Sequence, residues 1–407
     1  MAVSAFACKM WPGMALFRIT TTAGTAVFLK LAPFGTVPRD RDAGGYGLIR
    51  GLHERRAPKR EYPQKPAKKI IMKTSLLLAV LCAGALPVLS NSAMAAPDAA
   101  GKAHKQAGKS PVKVFILAGQ SNMEGQSVVD LTGKDYNDGK GTLATLIKDP
   151  VKGAMFKHLQ GADGKWTVRD DVWVRYQREN SPLLAGPLGV GFSVYGDVHH
   201  FGAELQFGHV VGDALPNQVL LIKTAWGGKS LDVDFRPPSS GGTVGKYYSL
   251  MIAQVKEALA NLKTDFPGYD GRGYELAGFV WWHGWNDFCD AKMVPVYEQN
   301  LINLIHDVRK DLKSPKLPVV IGDLTGPWLK DAKDFPAAAL AIRKAQKAVA
   351  AKPEFKGTVQ LVETGDFVRK PEDSPHPGHG HHEFGNAETY FLVGDALGKG
   401  MLKLLPK

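Results

Sequence analysis

The chain has 407 residues, 44% hydrophobic and 22% charged, which leaves room for two or three average domains. Its formal net charge of +12 sits almost entirely at the front: residues 1–95 hold 14 Lys and Arg against 4 Asp and Glu, leaving +2 for residues 96–407. The remainder is close to neutral and lacks the basic face that a nucleic-acid partner requires, so that class of function is excluded.

Residues 1–71 are rich in Arg, Pro and Gly, show no sustained period, and read as a disordered upstream extension outside the native protein, with Met72 as the true start. Residues 72–95 read as a secretory signal peptide. Lys68, Lys69 and Lys73 give the basic start, 74–89 the apolar stretch, and Ala93-Met94-Ala95 the small-x-small cleavage site. The apolar stretch is short for a membrane span and is interrupted by Gly84 and Pro87, so a secreted or periplasmic product with no span is expected. Residues 96–111 form a linker rich in Ala, Gly, Lys and Pro, and 112–407 the functional domain. Cys8 and Cys82 fall in the discarded part. Cys289 then stands alone, which excludes an internal disulfide and suits inert packing.

Within the domain, the apolar run 112–118 predicts a buried strand, stopped by Gly119-Gln120-Ser121-Asn122. A serine on a sharp strand-to-loop turn offers its hydroxyl at the sheet edge, as a nucleophile elbow does; the same serine also suits a helix N-cap. Residues 126–203 contain an alternating segment, Asp171-Val172-Trp173-Val174-Arg175-Tyr176, among glycines, Pro182 and Pro187. They predict an insertion after the first strand, folded over the site and shaping its pocket. Apolar runs at 219–224, 276–282, 317–321 and 358–362 predict further strands. Helical faces lie between and after them: Phe207, Val210, Val211, Ala214 and Leu215; then Tyr297, Leu301, Leu304, Ile305, Val308 and Leu312; then Ala387, Tyr390, Phe391, Gly394, Leu397 and Met401. This alternation predicts a three-layer α/β/α sandwich, flavodoxin-like, with about five parallel strands and a ligand site at their carboxyl ends.

The strand ends carry the chemistry. Gly227-Gly228 allows close backbone approach to a ligand, or simply makes a turn. Asn286 can donate without carrying charge, or cap the helix that follows. Trp226 and Trp285 are core residues by habit, yet at the lip of a sheet they would make a platform for a sugar ring. Arg236 suits solvent or an acidic sugar. His376, His379, His381 and His382 lie together in a Pro/Gly loop. Their spacing lacks the helical geometry of zinc sites, so no metal is expected.

In order, the blocks AGQSNM, KTAWGGKSL, GFVWWHGWND and HHEFGNAETYFLVGDALG resemble the SGNH hydrolases, most closely the sialate O-acetylesterase-like group related to carbohydrate esterase family six. The resemblance runs from about residue 112 to the C-terminus. It implies Ser121 as nucleophile, with an oxyanion hole from the Ser121 N–H, an N–H of Gly227 or Gly228, and Asn286. It lays the relatives' catalytic histidine on His382, with His381 and His376 as rivals. The relatives often carry an Asp just before that histidine. Here Gly378 and Gly380 stand nearby, so Asp373 is the candidate acid, with Glu372, Glu383 or a Ser–His dyad as alternatives. Gln120, Trp226, Trp285, His283 (often Gln in relatives) and Glu204 are expected around the substrate. The implied activity is a secreted serine esterase that removes acetyl groups from a carbohydrate, without metal or organic cofactor. A sugar-binding protein that has lost catalysis, which the missing Asp favours, is the alternative. A lipid or thioester hydrolase would need a longer apolar groove.

Overall fold

The computed structural model describes residues 17–20, 26–29, 111–326 and 337–406, in two compact units, Met1–Ser90 and Asn91–Lys407. In the first, Phe17–Thr20 pairs antiparallel with Ala26–Leu29, two strands within the segment expected to lack structure. The expected signal peptide, and the linker up to residue 110, lie outside the described residues.

The second unit is built on seven strands: β1 Val112–Gly119, β2 Arg169–Gln177, β3 Leu183–Leu188, β4 Val219–Ala225, β5 Tyr274–Trp282, β6 Val319–Gly322 and β7 Val359–Val362. Their order is β7-β6-β5-β1-β4-β2-β3, all parallel except β3, which pairs antiparallel with β2 at the edge. The five strands expected from the sequence are present. The sixth and seventh come from the insertion, whose hairpin extends the sheet instead of lying only over the site.

Among the described residues five long helices cover the sheet: α1 Glu204–Ala214, α2 Lys246–Ala260, α3 Tyr297–Asp311, α4 Ala337–Ala350 and α5 Ala387–Leu404. Alternation along β1 divides its side chains between two cores. Val112, Val114, Ile116 and Ala118 face the core shared with α2, α3 and α4; Phe115 and Leu117 face the one shared with α1 and α5. Side chains on both faces of β1 are buried, so the strand is a continuous apolar run, as parallel strands are. The helix α5 starts at Asn386, whose Oδ1 accepts from the Glu388 and Thr389 N–H groups. Among the described residues no helix is long and apolar enough to cross a membrane.

One charge interrupts the apolar run of β4. Lys223 is fully buried, and its Nζ donates to Glu204 Oε2 at 2.8 Å, Glu124 O at 3.0 Å and Phe192 O at 2.5 Å. Burial pulls its pKa down, and Glu204 offsets part of that. A buried ammonium with three acceptors ties β4 to the turn after β1, to the insertion and to the start of α1. Removing one partner strands the other charge. Glu204→Ala is therefore expected to lower stability by about 3–5 kcal/mol in chemical denaturation, and Lys223→Met with Glu204→Leu to lose less. An unchanged midpoint for Glu204→Ala would contradict this.

Candidate active site

The register of three strands sets the site. Gly119 on β1 pairs with Ala225 on β4 and Trp282 on β5, so the residues after each leave the sheet side by side at its carboxyl edge. Ser121 is the first residue of the one-turn helix Ser121–Glu124 and is half-buried; the N-cap position falls to Gln120. The nearby turn Trp285–Phe288 is capped by Gly284, so Asn286 does not cap it either.

The two carboxamides flanking Ser121 are buried and bonded. Gln120 Oε1 accepts from the N–H groups of Gly284 (3.1 Å) and Trp285 (3.0 Å), and its Nε2 donates to Asn286 Oδ1 at 3.2 Å. Gln120 is thus a strut between two strand ends, and it also lines the narrow crevice beside Trp285. Its bond to the Asn286 oxygen leaves the Asn286 Nδ2 as the donor. On the other side, Asn122 Oδ1 accepts from the Tyr390 O–H at 2.7 Å, and Asn122 Nδ2 donates to Glu383 Oε1 at 3.4 Å. The Tyr390 hydroxyl also lies 3.3 Å from the His382 carbonyl. These contacts join the serine turn to the histidine segment.

Gly227 passes close to the serine. A Cβ built there would lie 3.4 Å from Ser121 Cβ and 2.9 Å from Glu124 Oε2, so a side chain at this position would displace the Glu124 carboxyl. Gly228 beside it is exposed, with φ +70°. Glu124 is a neighbour that the sequence reading missed. Burial pushes its carboxyl up to about 7, against the pull of Lys223, the Tyr176 O–H and the Gly227 N–H. The loop after the glycine pair is held from beneath by Asp287, whose carboxylate accepts from the N–H groups of Leu231 (2.9 Å) and Asp232 (3.0 Å). Burial pushes Asp287 up to about 7.

Three other expected pocket residues are structural. His283 is buried, and burial pushes its imidazole down to about 3, so the ring is neutral. Its Nε2 donates to the Lys229 carbonyl at 2.9 Å, which leaves Nδ1, 3.3 Å from the Tyr297 oxygen, to accept. Trp226 is 2% exposed and packs between Phe235 and Tyr247. Glu204 spends both oxygens inside, on the Gly202 N–H and Lys223. Trp285 alone of the two expected tryptophans is half-exposed, 6.1 Å from the His381 ring. Arg236 is bound by its own loop, donating to Asp232 O, Gly241 O and Ser240 O. Cys289 packs half-buried against the core of α2, α3 and α4.

The histidines form a chain of rings, with centroids 5.1 Å apart for His376 and His379, 5.8 Å for His379 and His381, and 4.1 Å for His381 and His382. His382 is half-buried, His379 and His381 are exposed, and His376 leans on Tyr136 of the insertion at 4.9 Å. Burial, then the neighbouring imidazoles of His381, His379 and His376, hold the His382 pKa well below 6.5. Among the described residues no carboxylate figures in that balance. Asp373 is exposed, and it is its main-chain oxygen that accepts from Asn386 Nδ2, at 3.3 Å. The expected Asp373–His382 pairing is therefore not seen.

A parallel sheet with a serine turn, a glycine pair and an Asn-Asp turn level at its strand ends, and a histidine segment tied to the serine, has the layout of an SGNH-type hydrolase. Residues 111–387 match the family model described as carbohydrate esterase, sialic acid-specific acetylesterase, and the chain belongs to that family. It is a carbohydrate esterase. A probable carbohydrate esterase of Arabidopsis thaliana is 24% identical over 214 residues, 52% of this chain and 68% of that protein. Similar solved structures include a carbohydrate acetylesterase from Xanthomonas citri (13% identity, 71% of this chain, 56% of that one, TM-score 0.42). Another is NanS (15% identity, 72% of this chain, 98% of that one, TM-score 0.45).

Because Asp373 stands apart from His382, Asp373→Asn is expected to keep kcat/KM for an acetyl ester within about three-fold, where loss of a true triad acid costs about 10⁴. A drop of the larger size would restore Asp373 to the site.

Proposed function

We propose that this carbohydrate esterase removes O-acetyl groups from its substrate by a covalent route, with Ser121 as nucleophile and His382 as base. The observation that carries the reading is the convergence on Ser121 of three remote segments: Gly227 alongside it, Asn286 held through Gln120, and the His382 segment held through Asn122 and Tyr390. Neutral His382 takes the Ser121 proton as Oγ attacks the acetyl carbonyl. The oxyanion is met by the Ser121 N–H, the Gly227–Gly228 main chain and Asn286 Nδ2, each such donor worth about 3 kcal/mol in the transition state. His382 then gives the proton to the sugar oxygen, which leaves. Water, deprotonated by the same imidazole, releases acetate from Ser121. Among the described residues no carboxylate contributes to its ionisation, so His382 works as half of a dyad.

The segment 72–95 supports an exported protein, secreted or periplasmic. The lack of an acid partner for His382 among the described residues also supports the rival reading, a binding protein on an esterase scaffold, and one assay separates the two. Ser121→Ala is expected to lower acetate release from acetylated xylan, pectin or sialosides by about 10³-fold or more, with the fold intact by circular dichroism. A wild-type chain that releases no acetate from any of them favours the binding protein.

The pH profile follows from the sign of the shift. The base must be neutral, and a pKa held below 6.5 keeps it neutral in more acidic solution. The acid limb of kcat/KM is therefore expected below pH 6.5. His381→Ala should move it upward, because the neighbouring imidazole lowers the pKa of His382. An acid limb at or above pH 6.5 in the parent enzyme would contradict this.

A further inference from the structure

Trp226 is buried, and Trp285 offers a half-exposed ring on the histidine side of the site, 6.1 Å from His381; the insertion side offers an aromatic face of its own. That side presents Tyr195. The residue is 49% exposed, yet its ring is fixed from three directions. It stacks on His200 with centroids 3.9 Å apart and planes 28° from parallel. Its O–H donates to Gln126 Oε1 at 2.9 Å. Its loop is closed by a turn in which the Gly196 N–H donates to Ser193 O at 3.1 Å, and braced by Arg178 Nη1 on Val194 O at 3.0 Å.

The supports have supports. His200 Nδ1 lies 2.7 Å from Asp197 Oδ1, within the same loop. Lys223 holds the Phe192 carbonyl just upstream. Gln126 is buried, and its Nε2 donates to the Ser121 carbonyl at 3.3 Å. Two hydrogen bonds therefore connect the Tyr195 ring to the proposed nucleophile.

Exposed aromatic rings ordinarily keep rotamer freedom, and fixing one in water gains the folded chain little apolar burial. A ring that is both wet and fixed is preorganised to meet a ligand, because its ordering cost is met before binding. The ligand chemistry is set by the position. The acyl group occupies the serine crevice, and the alcohol half of the ester extends beyond it. The C–H face of a pyranose is the apolar surface that a flat ring can cover, while its hydroxyls stay in water.

We propose that Tyr195 is the stacking platform for the sugar ring of the substrate, and so a determinant of preference for carbohydrate esters over simple alkyl esters. This rests on the reading of Ser121 as nucleophile. The competing role is purely structural: the hydroxyl would steady Gln126, and through it the serine turn.

The test compares Tyr195→Ala and Tyr195→Phe on glucose pentaacetate and on ethyl acetate, with Ser121→Ala as control and thermal midpoints measured for each. The platform predicts that Tyr195→Ala lowers the ratio of kcat/KM for the sugar ester over ethyl acetate about ten-fold, through KM. Tyr195→Phe, which keeps the ring and loses the hydroxyl, stays within about three-fold of the parent ratio. If Tyr195→Phe loses as much as Tyr195→Ala, and in kcat, the hydroxyl bond is what matters and the platform is overturned. An unchanged ratio in Tyr195→Ala beside an inactive Ser121→Ala overturns the platform alone. A Ser121→Ala chain that still hydrolyses both esters overturns the nucleophile assignment instead. Should Tyr195→Ala fail to fold, Tyr195→Leu takes its place: it keeps bulk without an aromatic face, and the same loss of ratio is required of it.

Discussion

Everything at the active edge depends on one constraint: the carboxamides on both sides of Ser121 are buried, and buried amides must be hydrogen-bonded. Gln120 is 4% exposed and Asn122 9%, so neither can leave its partners for bulk water. Their partners lie on the turn after β5, on the segment before α5 and in the first turn of α5. Satisfying two local amides therefore draws two remote parts of the chain to the serine. The assembly of the site is a consequence of polar bookkeeping in a dry place.

The same economy recurs in the next layer. Lys223 satisfies its charge with Glu204 and with carbonyls of the serine turn and the insertion. Asp287 satisfies its carboxylate with the N–H groups of the loop after Gly227-Gly228. His283 fixes the Lys229 carbonyl of that loop. All of these side chains are buried, and each removes freedom from a loop at the strand ends, which is how a preorganised electrostatic site is kept rigid without strain in the reacting groups.

The central strands were legible because parallel strands are buried on both faces and read as unbroken apolar runs. The insertion strand β2 was not assigned to the sheet, and Arg175 shows why. Its alternation looked like one wet face, yet Arg175 is 2% exposed and buries its guanidinium against Glu257 (2.9 Å) and Asp265 (2.6 Å). A paired charge inside the sandwich mimics a solvent-facing position. Two helices went unassigned to particular residues: α2, which buries Tyr247, Tyr248 and Met251, and α4, built largely of alanines. Their patterns are less aliphatic than those of the three that were read.

At the site, residue types were legible and their duties were not. The motif pointed to Gln120, His283 and Glu204 as pocket residues; burial and bonding make all three supports, while Gln120 and His283 also line the crevice beside Trp285. A sequence shows that a polar residue stands near a strand end; it does not show whether the side chain turns inward. Glu124 directly follows the first block and went unread, because its partners Lys223, Tyr176 and Gly227 lie far along the chain. The most direct measurement of the central claim is mass spectrometry of the chain after reaction with a fluorophosphonate. The account predicts a single adduct on the peptide carrying Ser121, greatly diminished in His382→Ala. An unlabelled Ser121, or labelling that survives loss of His382, His381 and His376 alike, would contradict it.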